Sequence, residues 1–336
     1  MTIGSKNAYF YSMGEFRKDP LTGNWVVVGV TKAETGETGV CPFCPGNEHM
    51  TPHSIREIRD WQGQWLARSF PAINPVFEIE ASETKKAEGF YDKMGTFGAH
   101  EIVVEDRSHT KTFSTFDFFD VSRMVEMYAE RIVDLKRDKR LKYVQVFKNH
   151  GEMTGSLIFH PHSHVLATPI VPQQLSLELA NSRNHYLQKE RCLMCDVVSQ
   201  EMRQNRRVVI ATEHFLVICP FASRLSFEVW IVPRRHNPSF ESWIDEPVKH
   251  DFVEVFLDAM RRIERLRSSY SIVFHTSPNM AVWQLDEPAG PHVSAYFHWH
   301  LEVLPRMSSK DKREDEFYTV PLMPEEAAAI LRTKNA

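Results

Sequence analysis

Apolar residues recur at spacings of three and four at Val121, Met124, Val125, Tyr128, Ile132 and Leu135. They do so again at Val248, Phe252, Val255, Phe256, Ile263 and Leu266. Each series predicts an amphipathic helix with one face turned to a core. Each is followed by a short β-rich run, Tyr143 to Phe147 and Ser271 to Phe274. A segment carrying His-x-His comes next: His160 and His162 in one case, His298 and His300 in the other. From Ser294 to Glu302 strict alternation predicts a strand. Its one face would carry Tyr296, His298, His300 and Glu302, and its other face would bury Phe297, Trp299 and Leu301, with Val303 beyond. The polar stretches Glu80 to Lys86 and Gln284 to Pro291 predict loops.

The order repeats at half-chain scale. In His-Glu-Ile-Val-Val-Glu-Asp-Arg-Ser-His, Glu101 precedes His109 by eight residues, and in Phe-Glu-Val-Trp-Ile-Val-Pro-Arg-Arg-His, Glu228 precedes His236 by eight. A phenylalanine follows each, Phe113 and Phe240, and a Cys-x-x-Cys opens each half, Cys41/Cys44 and Cys192/Cys195. Chance can supply one such match but not the whole order. The pattern predicts two homologous α+β halves, residues 1–173 and 174–336, each a mostly antiparallel sheet with a helix packed on it.

Bulk composition narrows the classes. The 336 residues suffice for two domains, and 42% hydrophobic with 25% charged content is globular. A formal net charge of −4 gives no basic excess for a nucleic-acid partner. No apolar run approaches a membrane span, and Met1 to Phe10 lacks a signal-peptide core, so a cytoplasmic location is expected. In such a compartment paired cysteines favour metal over disulfide. Neither pair sits in a thioredoxin-like βαβ pattern, and the fifth cysteine, Cys219, reads as a small buried apolar residue.

Zinc takes four Cys and His ligands in a tetrahedron. The repeat picks the same four slots twice: Cys41, Cys44, His109 and His160, then Cys192, Cys195, His236 and His298. Pro and Gly around Cys41 predict a tight metal knuckle, which Cys192-Leu-Met-Cys195 lacks.

His160-Pro-His162-Ser-His164 alternates three imidazoles along one predicted strand. With His160 a ligand, His162 and His164 remain for acid–base or nucleophilic work. Just upstream, Lys148, Asn149 and Ser156 offer donors, and Gly151 and Gly155 let backbone N–H groups approach an anion. The chemistry implied is phosphoryl or nucleotidyl transfer by double displacement through a phosphohistidine-type intermediate. The second half has no such glycine loop, so the first half is expected to be catalytic and the second structural or substrate-shaping.

Several segments carry a family likeness. Arg17-Lys-Asp-Pro-Leu-Thr-Gly-Asn-Trp, Cys41-Pro-Phe-Cys-Pro-Gly-Asn-Glu, Arg68-Ser-Phe-Pro-Ala, Gly98-Ala-His-Glu-Ile, Phe147-Lys-Asn-His-Gly and His160-Pro-His-Ser resemble the galactose-1-phosphate uridylyltransferase family. Pro220-Phe-Ala, His275-Thr-Ser-Pro and His298-Trp look closest to its ADP-glucose phosphorylase branch. The resemblance covers about Arg17 to Pro305 and implies a duplicated histidine-triad fold, zinc at one or both Cys/His sites, and a homodimer. It implies that His162 attacks the α-phosphorus of a nucleotide sugar and that a sugar phosphate or inorganic phosphate then accepts the nucleotidyl group. Asn149, Gly155 and the stretch from Phe70 to Asn74 match positions that hold phosphate or nucleoside. Two departures accompany it. His164 stands where the family usually has Gln on the nucleotidyl phosphate. After Pro305, the charged segment from Arg306 to Phe317 replaces a Gly-Phe-Glu-containing segment that grips the hexose phosphate.

Overall fold

The computed structural model describes residues 14–30, 39–156, 158–242, 246–286, 290–306, 312–314 and 317–333. Most of the segment from Arg306 to Phe317 therefore lies outside the described residues. The strands, in chain order, are β1 (Glu15–Lys18), β2 (Trp25–Val28), β3 (Arg56–Arg59), β4 (Trp65–Pro71), β5 (Lys86–Glu88), β6 (Tyr91–Gly95), β7 (Ala99–Val104), β8 (Tyr143–His150), β9 (His162–Thr168), β10 (Val208–Ala211), β11 (Phe215–Ile218), β12 (Val229–Pro233), β13 (Tyr270–His275), β14 (His300–Pro305), β15 (Lys312–Glu314) and β16 (Phe317–Thr319). The helices are α1 (Phe118–Leu135), α2 (Gln173–Lys189), α3 (Leu193–Gln204), α4 (Glu246–Leu266), α5 (Met280–Asp286), α6 (Val293–Tyr296) and α7 (Pro324–Arg332).

Ten strands join in one sheet, ordered β10-β11-β12-β14-β13-β8-β9-β7-β4-β3. Every pairing in it is antiparallel. Outward from the β8–β13 seam, the two sides present matching elements: β8, β9, β7, β4, β3 against β13, β14, β12, β11, β10. The sequence repeat is thus visible as a two-sided sheet. The boundary expected at Gln173 coincides with the first residue of α2.

The two predicted helices both form. A capping box starts α1: Asp117 accepts from the Asp120 amide, and Asp120 accepts from the Asp117 amide. Its apolar stripe, Val121, Met124, Val125, Tyr128 and Ile132, is buried. Together with α4 it covers one face of the sheet, and one cluster runs across both halves through Val146, Val165, Phe256, Ile272, Leu301 and Val303. Burying each such side chain contributes about 1.5–3 kcal/mol. The second face is left for loops and polar side chains, and the functional groups lie there.

Three expectations are corrected. The alternating segment from Ser294 to Glu302 is not one strand: α6 precedes it and β14 begins only at His300. His292 caps α6 by accepting from the Ser294 amide, and Tyr296 and Phe297 pack with Tyr143, Leu175 and Leu179 instead of lining the sheet. Burial against α2 overrides the two-residue period. Gln284 lies in α5 rather than in a loop, and Lys86 begins β5. The small sheet β2-β1-β6-β5 and helix α2 were not anticipated by the apolar pattern. Among the described residues no helix is long and apolar enough to cross a membrane. Cys219 lies fully buried in the core, and burial pushes its thiol up to about 12.

Glu101, the first repeated glutamate, pins α1 to the sheet. Its two carboxylate oxygens accept from Arg131 Nε at 2.7 Å and Nη2 at 2.8 Å, and Ser69 donates at 3.1 Å. Both charged partners are buried. Removing one partner strands the other. Glu101→Ala is expected to lower the unfolding free energy by about 3–5 kcal/mol in denaturant titrations. The double variant Glu101→Leu/Arg131→Met is expected to lose less.

Candidate functional site

β9 carries the centre of the site. Its residues alternate between faces, so Ser163 and Val165 point to α1 while His162 and His164 point to the open face. The rings of His162 and His164 have centroids 5.3 Å apart. His160 precedes the strand, and its ring is turned to the first cysteine pair. The three histidines therefore do not share one strand.

His162 is buried, and its Nδ1 lies 2.7 Å from the carbonyl of His160. A carbonyl only accepts, so the ring proton sits on Nδ1 and the lone pair on Nε2. Burial, then the nearby Lys148 cation, push the imidazolium form down to about 4. The ring is accordingly a neutral, oriented base or nucleophile near pH 7. Phe43 packs against it edge-on at 5.2 Å.

Behind the strand, a buried polar network fixes this backbone. Lys148 Nζ donates to Glu105 at 2.6 Å and to the His162 carbonyl at 3.0 Å. Glu105 also accepts from Tyr128 at 2.7 Å and from Ser163. Lys148 was expected to donate to a bound anion. Instead it lies on the helix side of β8, since neighbouring strand residues face opposite ways. Asn149 occupies the open face and accepts from Ser271 at 2.7 Å. Phe147, on that same face, stacks on His164 at 4.8 Å.

The loop after β8 holds the predicted glycines. Gly151 has φ +86°, and a Cβ there would fall 2.2 Å from Ser269 Oγ, so the loop passes β13 where only glycine fits. Gly155, with φ +74°, caps the short turn from Glu152 to Thr154. Ser156 donates to the Ile158 carbonyl at 3.1 Å. Phe70 is fully buried, packed edge-on against Phe43 at 5.7 Å, and so cannot itself stack on a base. Asn74 is exposed in the loop after β4.

Both sulfur–imidazole sets assemble. In Cys41, Cys44, His109 and His160, as in Cys192, Cys195, His236 and His298, one ligand atom per residue lies within 4.8 Å of every other. Cys44 Sγ is 3.4 Å from His109 Nδ1 and 3.5 Å from His160 Nδ1. Cys195 Sγ is 3.6 Å from His236 Nδ1 and 3.5 Å from His298 Nδ1. Tetrahedral zinc, with bonds of about 2.3 Å to sulfur and about 2.05 Å to nitrogen, sets sulfur and nitrogen about 3.6 Å apart. The outer nitrogens complete the fit. His160, His236 and His298 each present Nε2 to a backbone carbonyl, of Asp106 at 2.8 Å, Ser294 at 2.7 Å and Pro233 at 3.1 Å. That leaves Nδ1 as the ligating atom. Burial and the neighbouring Cys41 push the Cys44 thiol up to about 11, so a cation is what permits two thiolates side by side. The second pair needs no Pro or Gly knuckle because Cys192 stands at the N-cap position of α3 and Cys195 lies in its first turn.

A further cluster was missed by sequence reading. Glu178 from α2 joins His275, His300 and Glu302, again with ligand atoms within 4.8 Å. His300 and Glu302 hold the places on β14 that His162 and His164 hold on β9. His275 lies between two carboxylates, 3.0 Å from Glu178 and 3.4 Å from Glu302. Burial opposes its charge, but the carboxylates outweigh it and hold the imidazolium up to about 10. Glu302 also pairs with Arg224 at 2.7 Å. By strand register this half has the cationic His275 opposite His300 where the first half has the neutral Asn149 opposite His162. Only Glu178 was invisible, because nothing in the linear pattern announces α2 as a neighbour of β14.

Known proteins share this architecture. A family profile described as galactose-1-phosphate uridyl transferase, N-terminal domain, matches residues 16–172. The chain is 30% identical to the galactose-1-phosphate uridylyltransferase of Neurospora crassa, over 94% of this chain and 94% of that one. It is 26% identical to the ADP-glucose phosphorylase of Arabidopsis thaliana, over 95% of this chain and 92% of that one. The crystal structure of an Arabidopsis thaliana ADP-glucose phosphorylase with bound ADP-glucose superposes with a TM-score of 0.75 at 25% identity, covering 96% of this chain and all of that one. The chain belongs to the galactose-1-phosphate uridylyltransferase family.

Proposed function

We propose that this protein transfers a nucleoside monophosphate between a nucleotide sugar and a sugar 1-phosphate through a covalent nucleotidyl-histidine at His162. The observation that carries the reading is the neutral, buried His162 ring, whose Nδ1–H is committed to the His160 carbonyl at 2.7 Å. Nε2 attacks the α-phosphorus of the nucleotide sugar. The bond from that phosphorus to the bridging oxygen breaks, and the sugar 1-phosphate leaves with the electron pair. The ring becomes positively charged as the new P–N bond forms, and the Nδ1–H bond to the carbonyl strengthens with that charge. In the second half-reaction a phosphate oxygen of the acceptor attacks the same phosphorus and releases Nε2 unchanged.

Asn149 and His164 are assigned to the phosphoryl groups because they border His162 on the open face, and the loop through Gly151, Gly155 and Ser156 is assigned to them because it continues β8 directly after Asn149 and on the family resemblance. Asn74 is assigned to the nucleoside side of the cleft on the family resemblance. Lys148 and Phe70 act through other residues: one holds the His162 backbone, the other backs Phe43. A phosphorylase reaction with inorganic phosphate as acceptor uses the same first step, and the full-length similarity to an ADP-glucose phosphorylase favours testing it beside the first. Zinc is proposed for both sulfur–imidazole sets on the spacing of their donor atoms. In the first set it would be held by Cys41, Cys44, His109 and His160, supplying the positive charge that ties His160 in place. A homodimer and a cytoplasmic location belong to the same reading, on the family resemblance.

Incubating the protein with UDP-glucose or ADP-glucose without acceptor, then digesting it under mild alkali, should place a nucleotidyl mass on the peptide containing His162. His162→Ala should carry none and lose at least about 10³-fold in kcat. Adding a hexose 1-phosphate or inorganic phosphate should discharge the adduct, and the acceptor that does so names the reaction. An unlabelled wild type, or undiminished label on His162→Ala, would overturn the covalent route.

Metal analysis should find about two zinc ions per chain. Cys41→Ser should lose one of them and much of the activity, through displacement of His160. Cys195→Ser should lose the other and lower the melting temperature. Fewer than one zinc per chain would reject both assignments.

A further inference from the structure

His164 is the residue that departs from the family pattern, and the structure surrounds it with an unused partner. His100 on β7 is half-buried and reaches across to it, with His100 Nε2 lying 3.0 Å from His164 Nδ1. On its other side, His100 Nδ1 accepts the backbone N–H of Val76 at 3.2 Å. Gly98 allows the approach of the strands at this level: a Cβ there would fall 2.4 Å from the Ala167 carbonyl oxygen. The ring planes of His100 and His164 are tilted by 34°, and Phe147 stacks on His164 at an angle of 10°.

Protons along this line can be assigned in order. A backbone N–H can only donate, so Nδ1 of His100 must hold a lone pair. Burial, and then His164, push the His100 imidazolium down to about 3, so the ring is neutral and its one proton is on Nε2. That proton points at His164 Nδ1, which must therefore accept. The single proton of a neutral His164 is left on Nε2. A protonated Nδ1 on His164 would set two N–H groups against each other.

We propose that His100 is a positioning residue that locks His164 in its Nε2–H tautomer, making it a fixed hydrogen-bond donor to the phosphoryl group carried by His162. Through this line the Val76 backbone amide, one imidazole ring away, dictates which ring nitrogen of His164 donates. A glutamine amide donates without such help, because its donor and acceptor are different groups. A histidine at this position needs its tautomer set from outside, and His100 supplies that. The donor's target rests on the nucleotidyl-transfer reading given above. The tautomer itself does not.

Two measurements separate these claims. Long-range ¹H–¹⁵N spectra of ¹⁵N-histidine-labelled full-length protein, without substrate, report each ring's tautomer. The expected result is Nε2–H for both His100 and His164. In His100→Leu, His164 should shift toward a mixture of tautomers, and His100→Gln, whose amide can donate along the same line, should restore Nε2–H. An Nδ1–H tautomer of His164 in the wild type would overturn the proposal, and needs no variant to fold. For the reaction, kcat is compared with and without His100→Leu in the His164 protein and in the His164→Gln variant, with melting temperature as the control for folding. His100→Leu should lower kcat about tenfold or more beside His164, with a smaller change in KM, and cost less than about threefold beside Gln. An equal loss in both backgrounds would mark His100 as merely structural and overturn the proposal. If the tautomer holds while no adduct forms on His162, the nucleotidyl-transfer reading fails and the tautomer lock stands.

Discussion

The hydrogen bond of 2.7 Å from His162 Nδ1 to the His160 carbonyl decides which nitrogen of this proposed nucleophile keeps a lone pair. Much of the surrounding structure holds that carbonyl in place. From the side chain of the same residue, Nδ1 of His160 is drawn to Cys44 and its Nε2 to the Asp106 carbonyl. On the far side of the strand, Lys148 and Glu105 grip the next backbone step: Lys148 holds the His162 carbonyl, and the Glu105 amide donates to Pro161 at 3.1 Å. The first sulfur–imidazole set and the Lys148–Glu105 pair therefore clamp three consecutive residues from opposite sides. The arrangement gives a neutral imidazole a single direction of attack at little entropic cost during the reaction.

One sheet with two unlike faces makes this possible. The helix-covered face supplies the packing and the buried charges, and the open face keeps His162, His164, Phe147 and Asn149 accessible to one another. The same scaffold is used twice with different chemistry. Where β9 has a neutral His162 beside His164, β14 has His300 and Glu302 beside a cationic His275 held by two carboxylates. Burial and the His275 charge push His300 down to about 4, yet an anion would meet Glu302 and Glu178 there. The second half is thus electrostatically poor as a phosphate site, in keeping with its lack of a glycine loop.

What the sequence disclosed follows from how each feature is encoded. Helices α1 and α4 and the His-x-His segments repeat with a fixed order, and both sulfur–imidazole sets of four could be chosen from that repeat alone. A glycine need in the loop after β8 was also legible, though the contact that fixes it at Gly151, with Ser269, was not. Features set by tertiary contact were not. Lys148 looked like an anion ligand because it neighbours Asn149 in sequence, whereas one residue's step on a strand turns it to the opposite face. Phe70 looked like a substrate contact because its stretch matches positions that hold phosphate or nucleoside, but its ring is consumed in packing against Phe43 and Arg68. The strand drawn through Tyr296 and Phe297 yielded to packing on α2. His100 was noticed only as part of the repeat and of a motif shared with the family, without a role. Its partner lies 64 residues away, and only the pairing of β7 with β9 brings the two rings together.

The central claim is that the sheet and the first sulfur–imidazole set present Nε2 of His162, and not Nδ1, to phosphorus. The most direct measurement is the ³¹P–¹⁵N coupling in nucleotidyl-enzyme prepared from ¹⁵N-histidine-labelled protein. The account predicts that phosphorus is bonded to Nε2 of His162 while Nδ1 retains its proton. Phosphorus bonded to Nδ1, or to a different histidine, would contradict it.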